Sequence, residues 1–504
     1  MLATILGLHW IDILVIVMYF LFMTAIGYLA YRKVKTQADY FMGGRRFGKA
    51  MMIMFAFGSG THADTAVGVA AKSYNIGLAG IWYQWQQLFT TAFYWLLAPV
   101  FRRARCITTA DFFEKRYGTG FSVLYTLDAI YMNITFMAVM LYGSGRMVEA
   151  LTAHAITLPW AIAIMVVCFT VYGVAGGLVA AVWTDFFQGI LTIIMSFLLV
   201  PFMWLEVGGR TGLAERLPDI QAAFSLRAVG EIGVFWIAMN AVNSLVSVVV
   251  QPHIMANTSA GKTELEGRVG FVFGLLIKRL CTVPWALVGV LGMALYAGQG
   301  VEADHVFGQA VRDFMPVGLV GLMIACVMAS VMSTCDVLMI SSSALVTRNI
   351  YQRFASVQKN EKQMVRLARV FCVGFVALAV LLASMFDSMP QAMRFTWKTV
   401  PLIGISFFMA LWWRRANRYG AWASFLCALL ALLVGQFGFQ WTGDKHLPKL
   451  MAFYLSSGLL GGIITSLITP REKEEDLDAF YLTINTPIGQ EDFLEQQGVN
   501  IILK

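Results

Sequence analysis

Charge is what this chain has least of. Only 13% of its 504 residues are Asp, Glu, Lys or Arg, about half the share found in a soluble domain. With 59% hydrophobic residues and a mean hydropathy of +0.69, the composition excludes an ordinary water-soluble domain and leaves a polytopic membrane protein. Cysteine is sparse as well. The seven (Cys106, Cys168, Cys281, Cys326, Cys335, Cys372, Cys427) are odd in number, scattered and mostly inside apolar runs, which gives neither a disulfide framework nor metal-ligand spacing. No nucleotide-binding loop is present, so ATP does not drive the protein. No filter motif of a channel is found either, and no constellation for covalent chemistry, so the chain does not read as an enzyme.

What is there is a succession of apolar runs. A span needs about 20 apolar residues. By that rule thirteen are predicted, at 9–31, 50–71, 77–100, 121–147, 157–176, 182–206, 230–252, 270–297, 316–345, 367–386, 392–412, 419–437 and 450–469. The first has no small-residue cleavage site after it and reads as a retained span. Lys and Arg cluster in alternate short loops: Arg32, Lys33, Lys35, Arg45, Arg46 and Lys49 in the first, Arg102, Arg103, Arg105, Lys115 and Arg116 in the third, then Arg348 to Arg369 and Arg414 to Arg418. By the positive-inside rule the N-terminus lies outside and the C-terminus in the cytoplasm of a bacterial-type plasma membrane. The same loops account for the net charge of +8 without nucleic acid as a partner. Residues 471–504 are too charged for a further span and are expected to form a cytoplasmic peptide, partly helical at most and dispensable for binding.

Two spans are interrupted. The stretch 55–80 reads as membrane-embedded, yet it holds Gly58, Gly60 and Gly68 with Ser59, Thr61, His62, Asp64 and Thr65. Helix breakers and carboxylates are costly in a bilayer and mark function there. Five spans later, Asn240, Asn243, Ser244 and Ser247 precede Gln251-Pro252-His253. Matching interrupted helices point to an inverted repeat with a solute and ion site between its halves. The organisation expected is 1–49, a first helix and loop; 50–206, the first repeat; 207–412, the second; 413–469, two peripheral helices; and 470–504, the cytoplasmic tail.

Six motifs in order carry a family resemblance over roughly residues 8 to 440. They are DYFMGGRRFG (39–48), THADTAVGVAAKSYNIGLAG (61–80), ITTADFFEKRYG (107–118), GGLVAAVWTDFFQG (176–189), QPHIMA (251–256) and ASVMSTCDVLMISSSALVTRNIY (329–351). Together they resemble the solute:sodium symporter family, which includes bacterial sodium/proline and sodium/galactose carriers. The resemblance implies an all-α fold, the thirteen-span version of the LeuT-type 5+5 inverted repeat, with helices two and seven broken. It also implies one sodium held by the carbonyls of Gly58, Thr61 and Ser330 and the hydroxyls of Ser333 and Thr334. In some relatives the aspartate of the Thr-Asp element, here Asp185, joins span nine to hold a second cation, for which Asp336, one turn beyond Ser333, is the partner expected.

From the residues alone, a Ser or Thr in a membrane helix can instead bond back to the carbonyl one turn earlier, and Asp185 can brace a cytoplasmic helix end. Asp64 can meet a solute or pair with Lys72. His62 and His253 read as satisfied interface residues. Gln84 and Gln87 share a face of span three, and with Asp64, Thr65, Asn243 and Ser244 they are the solute-binding candidates. Proline carriers have Trp and Tyr where Ser244 and Val248 stand and Arg where Asn257 stands, and sugar carriers usually have Gln where Thr65 stands, so the motifs name no solute. The reading is a symporter, with Na+ as coupling ion and no organic cofactor, that imports a small organic solute (a sugar, amino acid or organic acid) by alternating access. A transporter-like sensor is the alternative, although the tail is too short for a folded kinase.

Overall fold

The computed structural model describes residues 4–5, 7–31, 47–106, 108–228, 230–352 and 361–499. The side chains of 171–181 and of a few single positions, Asp336 among them, lie outside that description. So do most of the DYFMGGRRFG motif and the basic residues at 32–46 and 353–360. Among the described residues the fold is helical, apart from a two-residue hairpin, Thr4–Ile5 with Leu8–His9. Eight helices are long and apolar enough to cross a bilayer, and Trp10–Ile26, Lys49–Gly58, Leu158–Cys168 and Val234–Val248 are shorter apolar helices.

The second apolar run is in two pieces. One helix covers Lys49–Gly58, and another, Ala63–Ile76, starts after an extended His62 (φ −139°, ψ 163°). Gly58 and Gly60 are poor helix formers, and Ser59 and Thr61 offer the backbone competing partners. The seventh run divides in the same manner into Val234–Val248 and Pro252–Ser259. Pro252 supplies no N–H and has the φ of a first helical residue, so the second piece starts there. The long helix Glu264–Leu295 holds both pieces of the second run. A Cβ on Gly274 would lie 2.7 Å from the Ile53 carbonyl, and one on Gly289 would lie 2.4 Å from that of Ala70. Only glycine lets the backbones come so close.

One expectation needs correction here. The run at 77–100 is not one helix. It is a 3-10 turn Gly77–Ile81, a single turn Trp82–Trp85, a second 3-10 turn Thr91–Phe93 and a helix Tyr94–Arg103. The hydroxyls of Thr90 and Thr91 both donate to the Gln87 carbonyl, at 3.1 and 2.7 Å, beside the Thr91 N–H at 3.0 Å, so this one carbonyl serves three local donors where the second 3-10 turn begins. Helical conformation continues from Leu158 to Glu206, a length of about 73 Å at 1.5 Å per residue and so more than twice the hydrocarbon core of a bilayer; its apolar parts, Leu158–Cys168 and Val182–Glu206, fall in the two runs expected at 157–176 and 182–206. The tail is partly helical, and it docks on the rest of the chain. Helices Glu474–Asn485 and Glu491–Gln496 bury Leu477, Phe480, Ile484 and Leu494. Phe480 packs edge-on against Phe112, 5.3 Å between centroids. Arg105, with a side chain wholly out of solvent, donates to the carbonyls of Thr483, Thr486 and Pro487 and to Glu491.

Candidate functional site

A cavity of about 150 Å³ lies between the two broken runs and the helices Glu264–Leu295, Thr119–Leu151 and Met389–Thr399. All six solute-binding candidates line it: Asp64, Thr65, Gln84, Gln87, Asn243 and Ser244. Their states differ. Asn243 is fully engaged, donating to the Trp397 carbonyl at 2.9 Å and accepting from the Tyr454 hydroxyl, so it braces its helix as well as facing the cavity. Ser244 Oγ is buried with no partner. Thr65 Oγ1 donates to the His62 carbonyl at 2.5 Å.

Asp64 bonds to His62 Nδ1, and Gly143 is the reason it fits, since a Cβ there would sit 2.5 Å from Asp64 Cβ. Asp64 does not pair with Lys72. The Lys72 ammonium reaches Glu231 at 2.5 Å and Asp444 at 2.9 Å, where Arg394 and the Tyr83 hydroxyl also converge. His253 is not satisfied as expected: its Nδ1 is buried in the cavity wall with no partner.

Two residues escaped the sequence reading. Lys278 lines the cavity and donates to the Gly60 carbonyl at the break. Arg279, buried beside it, donates to the Gln84 carbonyl at 2.6 Å and to Gln87 Oε1 at 2.5 Å. The signal was present in the sequence: two adjacent cations inside an apolar span are a functional mark by default.

The cation candidates converge at the first break. A Cβ on Gly58 would lie 3.1 Å from Asp185 Cβ and 3.2 Å from its Cγ, so the Asp185 carboxyl sits directly against the helix end. Ser333 faces that carboxyl from helix Leu319–Ala344. Ser330 Oγ accepts from the Ala63 N–H at 3.2 Å, tying the same helix to the restart. Thr334 Oγ1 donates back to the Ser330 carbonyl at 3.2 Å, the local bond that a membrane threonine can make, while its side chain also lines the cavity. The Thr61 N–H donates to the Gly58 carbonyl at 3.2 Å. Four buried oxygens here make no hydrogen bond of regular geometry, Thr61 Oγ1, Ser333 Oγ and both carboxylate oxygens of Asp185, although Ser333 and Asp185 lie close enough to interact with each other. Asp185 is fully buried in mid-helix and caps nothing. It thus stands beside the first group of candidates, and the Asp336 side chain lies outside the described residues. Buried oxygens without a regular hydrogen bond are unusual in a folded chain, and a buried carboxylate beside hydroxyls and a helix break is a donor set that a hard cation takes.

The family model of the sodium:solute symporter family matches residues 40–428. Among curated relatives, the chain is 26% identical over 483 residues to the osmoregulated proline transporter OpuE of Bacillus subtilis, covering 90% of this chain and 94% of that one. It is also 26% identical over 467 residues to the sodium/glucose cotransporter of Vibrio parahaemolyticus, covering 82% and 83%. Among solved structures, a Na+-coupled sialic acid symporter superposes with a TM-score of 0.80 at 18% identity over 92% of this chain and 98% of that one. The transporter Mhp1 gives 0.59 at 13% identity over 89% and 99%. These share the fold. With a family match spanning most of its length, two interrupted helices around one polar cavity and a buried carboxylate beside hydroxyls at the first break, the chain belongs to the sodium:solute symporter family, whose members are transporters and not enzymes.

Proposed function

We propose that the chain couples inward sodium flow to the import of a small polar organic solute by alternating access. Sodium binds between Gly58, Thr61, Ser330, Ser333 and Thr334, with the Asp185 carboxylate supplying the charge. The solute binds in the cavity among Asp64, Thr65, Gln84, Gln87, Asn243 and Ser244, next to Lys278. The observation that carries this reading is the group of four buried oxygens without a regular hydrogen bond at the Gly58 break. The cavity's volume of about 150 Å³ is of the class that accepts a benzene-sized ligand, and its polar lining suits a sugar, an amino acid or an organic acid. Thirteen crossings, with repeats 50–206 and 207–412, peripheral helices in 413–469, an outside N-terminus and a cytoplasmic tail 470–504 in a bacterial-type plasma membrane, complete the proposal.

The test is a solute panel on proteoliposomes, scoring sodium-dependent uptake, followed by the Ser333→Ala, Thr334→Ala double variant. Alanine removes two oxygens and keeps the helix. The sodium half-saturation should rise at least tenfold, and apparent solute affinity should fall at low sodium, because coupling between two sites is reciprocal. Unchanged sodium dependence in a well-expressed double variant would remove these hydroxyls from the site.

A further inference from the structure

We infer that the junction between the end of helix Thr119–Leu151 and the turn Ala303–His305 is a binding site for a divalent transition metal of the zinc type, separate from the central cavity. Three side chains meet there. Glu149, His154 and His305 each offer one ligand atom, and these atoms all lie within 4.8 Å of one another. His305 Nε2 is 3.3 Å from Glu149 Oε2, and His154 Nδ1 is 3.8 Å from Glu149 Oε1. A tetrahedral zinc with ligands at about 2.0–2.2 Å holds neighbouring ligand atoms about 3.3–3.6 Å apart. The edge from His305 to Glu149 is therefore already near that length. The two edges from His154, to Glu149 and to His305, lie within 4.8 Å and shorten with a swing of His154, whose side chain is 59% exposed.

The surroundings fit a cation better than a plain hydrogen-bonded cluster. His305 Nδ1 lies 3.4 Å from Glu302 Oε2. A carboxylate on the far nitrogen fixes the tautomer that leaves Nε2 free to ligate, the support that metal-bound histidines commonly have. Three carboxylates, Glu149, Glu302 and Asp304, gather with a single fixed cation, Arg146. Arg146 shares Glu149 Oε2 at 3.2 Å, but its Nε is bonded to the Tyr142 hydroxyl at 3.2 Å and its guanidinium lies over the Tyr142 ring. It can therefore stay in place when Glu149 turns to a metal. The backbone is built to present His154. Ala153 and His154 both have positive φ, 50° and 63°, a region that residues other than glycine seldom enter, and the His154 N–H closes back on the Glu149 carbonyl at 2.8 Å. The turn is also joined to the cavity wall: Asp304 Oδ2 accepts from the Met389 N–H at 2.8 Å, and Met393 and Thr396 of the same helix line the cavity. A bound metal would pin this turn to the helix end.

The experiment is a titration of zinc chloride into the purified full-length protein, free of any histidine tag, read by calorimetry and by competition with a chromogenic chelator. One equivalent should bind. His154→Ala should weaken it at least tenfold, and Glu302→Gln should weaken it less. Because His154 is exposed, its loss leaves the fold in place, and an unshifted thermal melt without zinc verifies this. A wild-type protein that takes up no zinc, or a His154→Ala protein that binds it as tightly as wild type, would overturn the site.

Discussion

Asn257 Nδ2 donates to Ser59 Oγ across 2.8 Å, so the break of the second run is joined to the second piece, Pro252–Ser259, of the seventh. Both residues are buried. Replacing Asn257 with Ala removes the donor and leaves a buried hydroxyl unpaired, at a cost of about 1–3 kcal/mol. A thermal melt of the Asn257→Ala protein in detergent should fall by several degrees, and sodium-dependent uptake should slow. A melt that does not move would mean that the break and this piece are held by other contacts.

Asp185 and Gly58 act as a pair in which either can be changed. Asp185→Asn keeps the shape and removes the charge, and the sodium half-saturation measured in proteoliposomes should rise at least tenfold. Gly58→Ala keeps the charge and pushes a methyl against it, 3.1 Å from Asp185 Cβ, tighter than an ordinary contact. It should also raise the half-saturation, with a lowered melt. If Asn at 185 supports wild-type sodium dependence, the carboxylate is structural.

Lys278 is the cation inside the cavity wall, bonded to the Gly60 carbonyl and close to Asp64. Lys278→Met preserves most of the volume but leaves the Gly60 carbonyl without its donor, at a cost of about 1–3 kcal/mol. Uptake should be lost and the melt lowered. Lys278→Arg should not restore uptake, because a planar fork does not replace a compact ammonium on one carbonyl. Recovery of uptake with Arg would argue against the one-carbonyl role.

The docked tail predicts an acid-sensitive contact. Burial pushes the Glu491 carboxyl up, but the bonds from Arg105 outweigh it and hold the group below the usual carboxylate range. Arg418 does the same for Glu472. Carboxyls lowered in this manner stabilise the folded state above their ordinary pKa, and that stabilisation is lost as the pH falls through the lowered one. Limited proteolysis should therefore spare 471–499 at neutral pH and cleave it below the ordinary carboxylate range. Glu491→Gln should expose the tail at neutral pH.

What could be read from the sequence follows from what a bilayer forbids. Asp64, Gln84 and Asp185 were recognisable because a polar group inside an apolar run needs a reason, and each sits at the cavity or the break. Lys278 and Arg279 obey the same rule. They stand in an unbroken helix, Glu264–Leu295, with no interruption at their position to draw attention to it as there is at Gly58 and Pro252. The segmentation of 77–100 was hidden for another cause: hydropathy does not register that Thr90 and Thr91 both claim the Gln87 carbonyl. The tail shows an apolar stripe at Leu477, Phe480 and Ile484, but its partners, Phe112 and Arg105, lie more than 360 residues earlier, and no local pattern connects them.

That distance sets an order in time. Arg105 is made early, while the carbonyl of Pro487, which it will bond, comes 382 residues later. At about 5–20 residues per second of synthesis, the guanidinium waits roughly 20–80 seconds for its last acceptors. Late in that interval Arg103 and Arg116 already have their partners, Glu264 and the carbonyls of residues 410–416, while Arg105 is still without its tail acceptors. Residues 474–496 thus act as a clasp that closes only after the helices before them have been made, and a chain cut short after Ile468 would keep those helices and lack the clasp.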